Sequence, residues 1–532
     1  MSVGDRLPVT DRYEFVIVGS GINSLVCAAM LAKAGKRVVV LERSDRLGGC
    51  IRSEELFPGF THDVLSSSYP LFLASPAYLA LGEDLHRAGL EFVNTDLPTG
   101  VLTEDGRSLI MSTDPAERRR RLEAAGAGDG EAFDRAIGEF FGSNADLTFG
   151  LLGKELYTRD AVKMLWGELR RRKLRGMLTF FGEALESCRT WLDREFGSDL
   201  VKALIAPWVL HAGLGPDDAY SGLMGKVIMG AVGQAGMPVV VGGSGRLVDA
   251  FRHVIESHGG RLVTGADVTR VAVSGGRARG VVTADGTAYG ATTAVICNVT
   301  PTQLYGRLLD DVPGEVAAKA HAYRYGRSDM QVHYALSSPP EWPDPDLRRV
   351  AYIHITPGLD GVSRAVNEAE RGLLPETGTI VVGQPVALDP SRAPDGGWIL
   401  WIQLQELPAH ILGDVAGEIA VPGDGSWSEE VKESYVDRIQ RRLVRLLPDF
   451  EPTIVGRKAF SPAELESLNM NLVGGDPYSG ACTIDQFFMW RPFPGAKNHE
   501  TPVPGVFHIG ASTHPGPGLG GNSGFMVASK FT

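Results

Sequence analysis

The feature that most constrains the fold lies between Tyr13 and Glu42. The run Tyr13-Glu-Phe-Val-Ile-Val18 is aromatic and β-branched, the pattern of a buried strand. Gly19-Ser-Gly21-Ile-Asn-Ser24 follows, then the helical pattern Leu25-Val-Cys-Ala-Ala-Met-Leu-Ala32, then Gly35 and a second strand, Arg37-Val-Val-Val-Leu41, which ends at Glu42. Strand, glycine turn, helix, strand and acid in this order make a cradle for a dinucleotide. Gly19 makes the tight turn. Gly21 lets a pyrophosphate reach the backbone at the positive end of the helix, with Ile22 and Asn23 in its first turn. Glu42 is placed to accept hydrogen bonds from the ribose hydroxyls of the adenosine half. Ser24 stands where a third glycine is usual, a small residue that costs a slight shift in helix–strand packing. An incidental glycine-rich turn in an α/β unit would not explain the acid at the tip of the second strand.

Composition narrows the ligand and the setting. Across 532 residues, 52 basic against 64 acidic side chains give a net charge of −12, which argues against a general binder of nucleic acid. The five cysteines, Cys27, Cys50, Cys188, Cys297 and Cys482, are scattered with no CxxC pair. Neither a metal site nor a redox disulfide is signalled, and a cytoplasmic location fits. The polar N-terminus shows no signal-peptide core, and the most apolar long stretch, near Gly222 to Gly243, is interrupted by Lys226, Gln234 and Pro238, so no transmembrane span is expected.

Just past Glu42 lies Arg43-Ser-Asp-Arg-Leu-Gly48-Gly49-Cys-Ile-Arg52-Ser53. The double glycine gives a second close approach to a phosphate-bearing ligand, and Arg52 offers charge-assisted contacts to it. A plain NAD domain does not need this. The arrangement resembles the extended motif of the flavin amine oxidase and phytoene desaturase superfamily, and Pro58-Gly-Phe-Thr-His-Asp63 with Ser66-Ser-Ser68 continues it. A second glycine loop, Gly242-Gly243-Ser-Gly245, is not followed by an acid in the right place, so no nicotinamide site is expected there. In the family the backbone at Val268 meets the adenine.

Near the C-terminus, Val506-Phe-His-Ile509 runs into Gly510-Ala511-Ser-Thr-His514-Pro-Gly516-Pro-Gly518-Leu-Gly520-Gly521-Asn522-Ser-Gly524. So many glycines bring backbone against a flat ligand. This loop resembles the C-terminal flavin motif of the bacterial carotenoid desaturases and the phytoene dehydrogenase-like oxidoreductases. "PVALDPSRAPDGGW" and "GGDPYSGACTIDQFFMWRPFPG" resemble the latter group. The resemblance implies non-covalent FAD, although "YSGAC" echoes the monoamine oxidase segment whose cysteine, at the position of Cys482, bonds to flavin.

The expected fold class is therefore α/β, a Rossmann-type FAD-binding domain assembled from discontinuous segments (12–75, 237–305 and 455–532) with an α+β substrate domain (76–236 and 306–454). The stretch from Tyr69 to Gly236 reads as helical, and the stretch from Pro301 to Pro452 mostly as strands, followed by a helix from Ser428 to Leu446. The implied activity is removal of a hydride from an organic, apolar small molecule to form C=C or C=N, with oxygen or a quinone as acceptor. An amine oxidase, a redox-neutral isomerase and a non-catalytic flavoprotein remain open. His514 is the candidate catalytic residue, with Asp485, Gln486 and Arg491 on the same side. The basic runs Arg118–Arg121 and Arg170–Arg175 read as solvated helix faces, with peripheral membrane contact as the alternative.

Overall fold

The computed structural model describes residues 11–532; the polar N-terminal stretch lies outside the described residues up to residue 10. Two seven-stranded sheets organise the chain. The first contains β1 (Asp11–Val18) and β2 (Val38–Leu41). The second takes two strands from the early part of the chain, β3 (Thr99–Thr103) and β4 (Ser108–Met111). The first sheet then gains β5 (Arg261–Val263), β6 (Val268–Ser274), β7 (Arg277–Thr283) and β8 (Ala288–Asn298). The second is completed by β9 (Ser328–Leu336), β10 (Tyr352–Thr356), β11 (Ile380–Gly383), β12 (Trp398–Leu407) and β13 (Ile454–Phe460). The last strand, β14 (Val506–Ile509), returns to the first sheet.

In the first sheet β5, β2, β1, β8 and β14 lie side by side and parallel, and β6–β7–β8 form an antiparallel meander on the same edge. Val16, Ile17, Val39, Val40, Val295 and Ile296 are buried on both faces of the sheet, as a covered parallel sheet requires. Helix α1 (Ile22–Lys33) packs beneath it with Leu25, Val26, Ala28, Ala29 and Ala32 all buried. The alanines keep this helix thin enough to lie between the sheet and two further helices, α3 (Gly245–Ser257) and α5 (Asn522–Ala528).

In the second sheet the order is β13–β9–β12–β11–β10–β3–β4. One face, with Met330, Val332, Tyr334, Leu400, Ile402 and Leu404, packs against α4 (Glu429–Leu446) through Val431, Tyr435, Ile439 and Leu443. The helical reading of the stretch after Tyr69 is corrected by the hairpin β3–β4. Its turn carries Asp105-Gly106, with Gly106 at φ +83°, a strong hairpin signal. The boundary at residue 455 is also corrected. Strand β13 pairs with β9 at the edge of the second sheet, from Gln331 opposite Phe460 to Leu336 opposite Ile454, and so continues that sheet's ladder.

Candidate functional site

A cleft runs along the carboxyl ends of β1, β2 and β8, where a parallel sheet presents backbone to a ligand. Of the residues singled out in the sequence, Gly19, Gly21, Ile22, Asn23, Glu42, Arg43, Gly48, Gly49, Arg52, Val268 and Ala511 line it. The glycines are sterically required. Gly19 has φ +85°, and a Cβ there would stand 3.0 Å from the Asn298 carbonyl oxygen. Gly49 has φ +60°, and its Cβ would stand 3.1 Å from the Cα of Gly21, so the two glycine turns touch back to back.

Polar groups fix the turns. Both the amide and the hydroxyl of Ser20 donate to Glu42 Oε2, at 2.9 and 2.6 Å, and Ser44 N donates to Oε1 at 2.9 Å. Glu42 thus ties the first turn to the tip of β2 and still faces the cleft. Ser24 succeeds in the glycine position because its buried hydroxyl accepts from Asn298 Nδ2 at 3.0 Å. Helix α1 begins at Gly21 with no side-chain cap and no acid in its first turn, the arrangement that favours an anion. Arg52 lines the cleft while paired with Glu54. Arg43 stands at its mouth, donating to the Ser467 carbonyl at 3.1 Å.

Other lining residues were not found from sequence: Asn298 at the end of β8, Asp267 and Arg307 beside Val268, the loop Leu468–Asn471, and Ser479. Asn298 had a readable signal, since it ends a parallel strand next to β1. The buried Nε of Arg307 has no partner among the described residues. These groups fit FAD: a ribose acceptor and arginines at one end, an uncapped helix and paired glycine turns in the middle, and Ala511, Ser512, Leu519 and Asn471 at the other.

The C-terminal loop closes this second end, and only part of it lines the cleft. Gly510 lies beside Asn298, where a Cβ would stand 2.3 Å from Asn298 Oδ1. Gly518 and Gly520 pack against Leu71, and Gly521 against Val26 of α1. Asn522 opens α5, its buried Oδ1 without a partner among the described residues. Asn23 Oδ1 accepts from Ser523 Oγ at 2.8 Å and from Gly524 N at 3.3 Å, joining the first helix to the last.

The structure does not bring His514 to the cleft. Its Nε2 donates to the Lys154 carbonyl at 2.8 Å, and its own carbonyl accepts from His499 Nε2 at 2.9 Å. Burial, with His499 nearby, pushes its pKa down to about 4, so the ring is neutral. Asp485 also lies apart, paired with Arg324 on the surface, and Gln486 holds the backbone at Arg324 and Ala481. Arg491 is the residue that matters structurally. It is buried and donates to the carbonyls of Ala511, Ala481, Tyr478 and Gly480, clamping the loop of Ser479 to the cleft-lining Ala511. Cys482 is buried beside it, its thiol pushed up to about 11 by burial, and is not a lining residue.

The second glycine loop is already occupied by protein. Gly242 N donates to Asp389, Ser244 N to Asp63 and Gly245 N to Ser53 Oγ, at 2.7, 2.8 and 2.9 Å. Asp63 is in turn paired with the fully buried Arg392 at 2.9 Å. Its amides are therefore spent on packing α3 against the neighbouring segments.

Residues 25–519 match the family described as Flavin containing amine oxidoreductase. Pyridine nucleotide-disulfide oxidoreductase domain-containing protein 2 of Rattus norvegicus is 28% identical, with 97% of this chain and 93% of that protein covered. A limonene dehydrogenase chain of Castellaniella defragrans is 24% identical over 97% and 93% of the two chains, and the phytoene desaturase of Fusarium fujikuroi 24% over 96% and 87%. An oxidoreductase from Methanosarcina mazei has the same fold, with a TM-score of 0.62 at 16% identity over 97% of this chain and 100% of that one. The cradle and the match over nearly the whole chain lead to one conclusion: the chain belongs to the flavin-containing amine oxidoreductase family and is an FAD-dependent oxidoreductase.

Proposed function

We propose that the chain is a dehydrogenase that takes its reducing equivalents from a C–H bond of an organic substrate, forming a C=C bond, and passes them to oxygen or a quinone. The observation that carries this reading is the saturated second glycine loop. With the amides of Gly242, Ser244 and Gly245 bound to Asp389, Asp63 and Ser53, one dinucleotide cradle remains among the described residues. When bound, FAD supplies the two-electron acceptor. The chain's own residues orient it: Glu42 at the ribose, Gly19–Ile22 and Gly48–Gly49 at the pyrophosphate, and the Arg491-clamped backbone of Ala511 at the ring end. The limonene dehydrogenase and phytoene desaturase relatives support carbon–carbon chemistry. A C–N substrate is the second reading, favoured by the buried carboxylate of Asp329 in the second sheet.

The test is anaerobic mixing of the oxidised holoprotein with NADH, NADPH, and a panel of monoterpenes, polyenes and amines. Organic substrates should bleach the flavin and the nicotinamides should not. Fast bleaching by NADPH would overturn the proposal.

Peripheral contact with an anionic membrane belongs to the same reading, as does a reducing, cytoplasmic setting, supported by five free cysteines. No described helix is long and apolar enough to cross a membrane. Along α2 (Arg159–Ala184), broken at Lys173, Val162, Trp166, Leu174, Leu178 and Phe181 are exposed, Val162 and Leu174 by 66% and 67%. Arg170 stacks on Trp166 with 5.2 Å between its guanidinium carbon and the ring centroid. Both basic runs are partly neutralised, Arg118–Arg121 by Glu117, Asp134, Glu131 and Asp346 and, in the second run, Arg171 and Arg172 by Glu168. Co-flotation with anionic but not neutral vesicles would support the contact.

A further inference from the structure

The two faces of the second sheet differ in chemistry. On the α4 side, β9 and β12 are apolar over Met330–Tyr334 and Leu400–Leu404, with Glu406 near the end of β12. On the other side, the same strands present Asp329, Gln331 and His333 beside Trp401, Gln403 and Gln405, with Gln331 and Gln403 directly opposed in the ladder. That side looks toward the cofactor domain. His333 Nε2 donates to the Val64 carbonyl at 3.2 Å, and Trp401 Nε1 to the Leu65 carbonyl at 3.0 Å. Gln405 Nε2 donates to Tyr478 Oη at 2.7 Å, and Tyr478 precedes Ser479, a cleft residue. The side chain of Tyr478 thus connects the polar patch to the loop that lines the cleft.

Its hydrogen bonding is one-sided. The amides of Gln403 and Gln331 both donate to Asp329 Oδ2, at 2.6 and 3.4 Å. Asp329 Oδ1, Gln331 Oε1 and Gln405 Oε1 have no partner among the described residues. Their residues are only 2%, 2% and 4% exposed. Buried polar atoms are normally paired, and three unpaired oxygens in one patch call for hydrogen-bonding partners from outside the chain. Among the described residues no arginine or lysine supplies them. Gln403 is half-buried, so the patch is reachable. A hydrocarbon placed there would leave all three oxygens unpaired.

We propose that Asp329, Gln331 and Gln405 form the anchoring end of the substrate site and take a donor-bearing head group, an ammonium or a pair of hydroxyls, on a substrate whose oxidised C–H lies nearer the cofactor. This rests on the flavin dehydrogenase reading and narrows its substrate class to amphiphiles with a donor head. Asp329 holds a proton in the unliganded patch; an ammonium entering it displaces that proton, bringing three N–H donors and a countercharge to the carboxylate. The two amide oxygens serve hydroxyls equally well.

The test titrates the FAD-loaded protein with octylamine, 1,2-octanediol and 1-octene and follows the visible flavin band. One of the two polar probes should perturb the band at concentrations roughly tenfold or more below those needed for octene, the discrimination a site with buried polar groups gives. For an ammonium head, Asp329→Asn weakens octylamine binding by roughly 10- to 100-fold, the range for orphaning a buried charged partner. For hydroxyls, Gln405→Met does the same to the diol. FAD content and thermal midpoint of each variant, measured alongside, separate a misfolded variant from a lost contact, and Asp329→Glu, which keeps the carboxylate, recovers amine binding at least in part. The proposal is overturned if octene binds as tightly as the polar probes, if no polar probe binds, or if both variants that retain FAD bind them like the parent protein. Failure of the underlying reading looks different: the protein would hold no FAD, or no organic substrate would bleach it.

Discussion

The substitution Asp329→Asn should change how the protein's stability depends on pH. Burial raises the Asp329 pKa from 3.8 to about 8, against the opposing hydrogen bonds from Gln403 and Gln331. The folded chain holds this proton more tightly than the unfolded chain does. Its contribution to stability is therefore complete below the unfolded value and is lost as pH climbs through the folded value. Four units at 1.36 kcal/mol each make the full loss about 5 kcal/mol. Between pH 5 and pH 8 the share is about 4 kcal/mol. Spread over an unfolding entropy of about 1.1 kcal/mol/K for a chain of this length, that is a shift in midpoint of about 4 °C. Asparagine keeps the neutral shape and never ionises. The variant's midpoint should gain about 4 °C on that of the parent between pH 5 and pH 8. Glu406, pushed up to about 7 by burial, titrates in both proteins and cancels in the difference. The assay is a thermal melt of both FAD-loaded proteins across this range at constant ionic strength. Parallel curves would refute the claim that Asp329 is a buried, proton-holding carboxyl.

Glu42→Ala removes the acceptor of three hydrogen bonds that shape the ribose end, and should weaken FAD binding by about 1–3 kcal/mol; titration of the apoprotein with FAD measures it, and an unchanged affinity counts against the assignment. Gly524→Ala would put a Cβ 1.8 Å from the Asn23 carbonyl oxygen, forcing α5 off α1 at a cost of about 1–3 kcal/mol or more, with FAD content and thermal midpoint both falling. Acid precipitation should leave the yellow colour in the supernatant, because Cys482 lies outside the cleft lining with a thiol raised to about 11; colour kept by the pellet would mean a covalent bond.

The part of the site that sequence makes legible is the part that is local. Gly19, Gly21, Glu42, Gly48 and Gly49 sit within one strand–helix–strand unit, where spacing alone determines which backbone atoms approach the ligand. Asn298, Arg307 and the loop Leu468–Asn471 reach the cleft only because β8 lies beside β1 and the later chain folds over it, a placement no short window contains. His514 misleads for the same reason. Its glycine-rich surroundings mark a ligand loop, but its ring is held by the carbonyl of Lys154, 360 residues away in sequence. In Ser328-Asp-Met-Gln-Val-His-Tyr-Ala-Leu336 polar and apolar residues alternate, which gives β9 one polar face. Ordinarily that face meets water; here it is turned inward, and only the packing of the two sheets reveals it.

The closure of α5 and β14 onto α1 and β8 carries a consequence for biosynthesis. In synthesis the first cradle elements precede β14 and the Arg491-clamped loop that complete the ring end by nearly five hundred residues. Until then β8 exposes an unpaired parallel edge at Val295–Asn298 and α1 an uncovered flank at Asn23 and Val26. The ring end of the site is thus completed only once β14 has been made, and a chain stalled before Val506 would leave that edge and flank exposed.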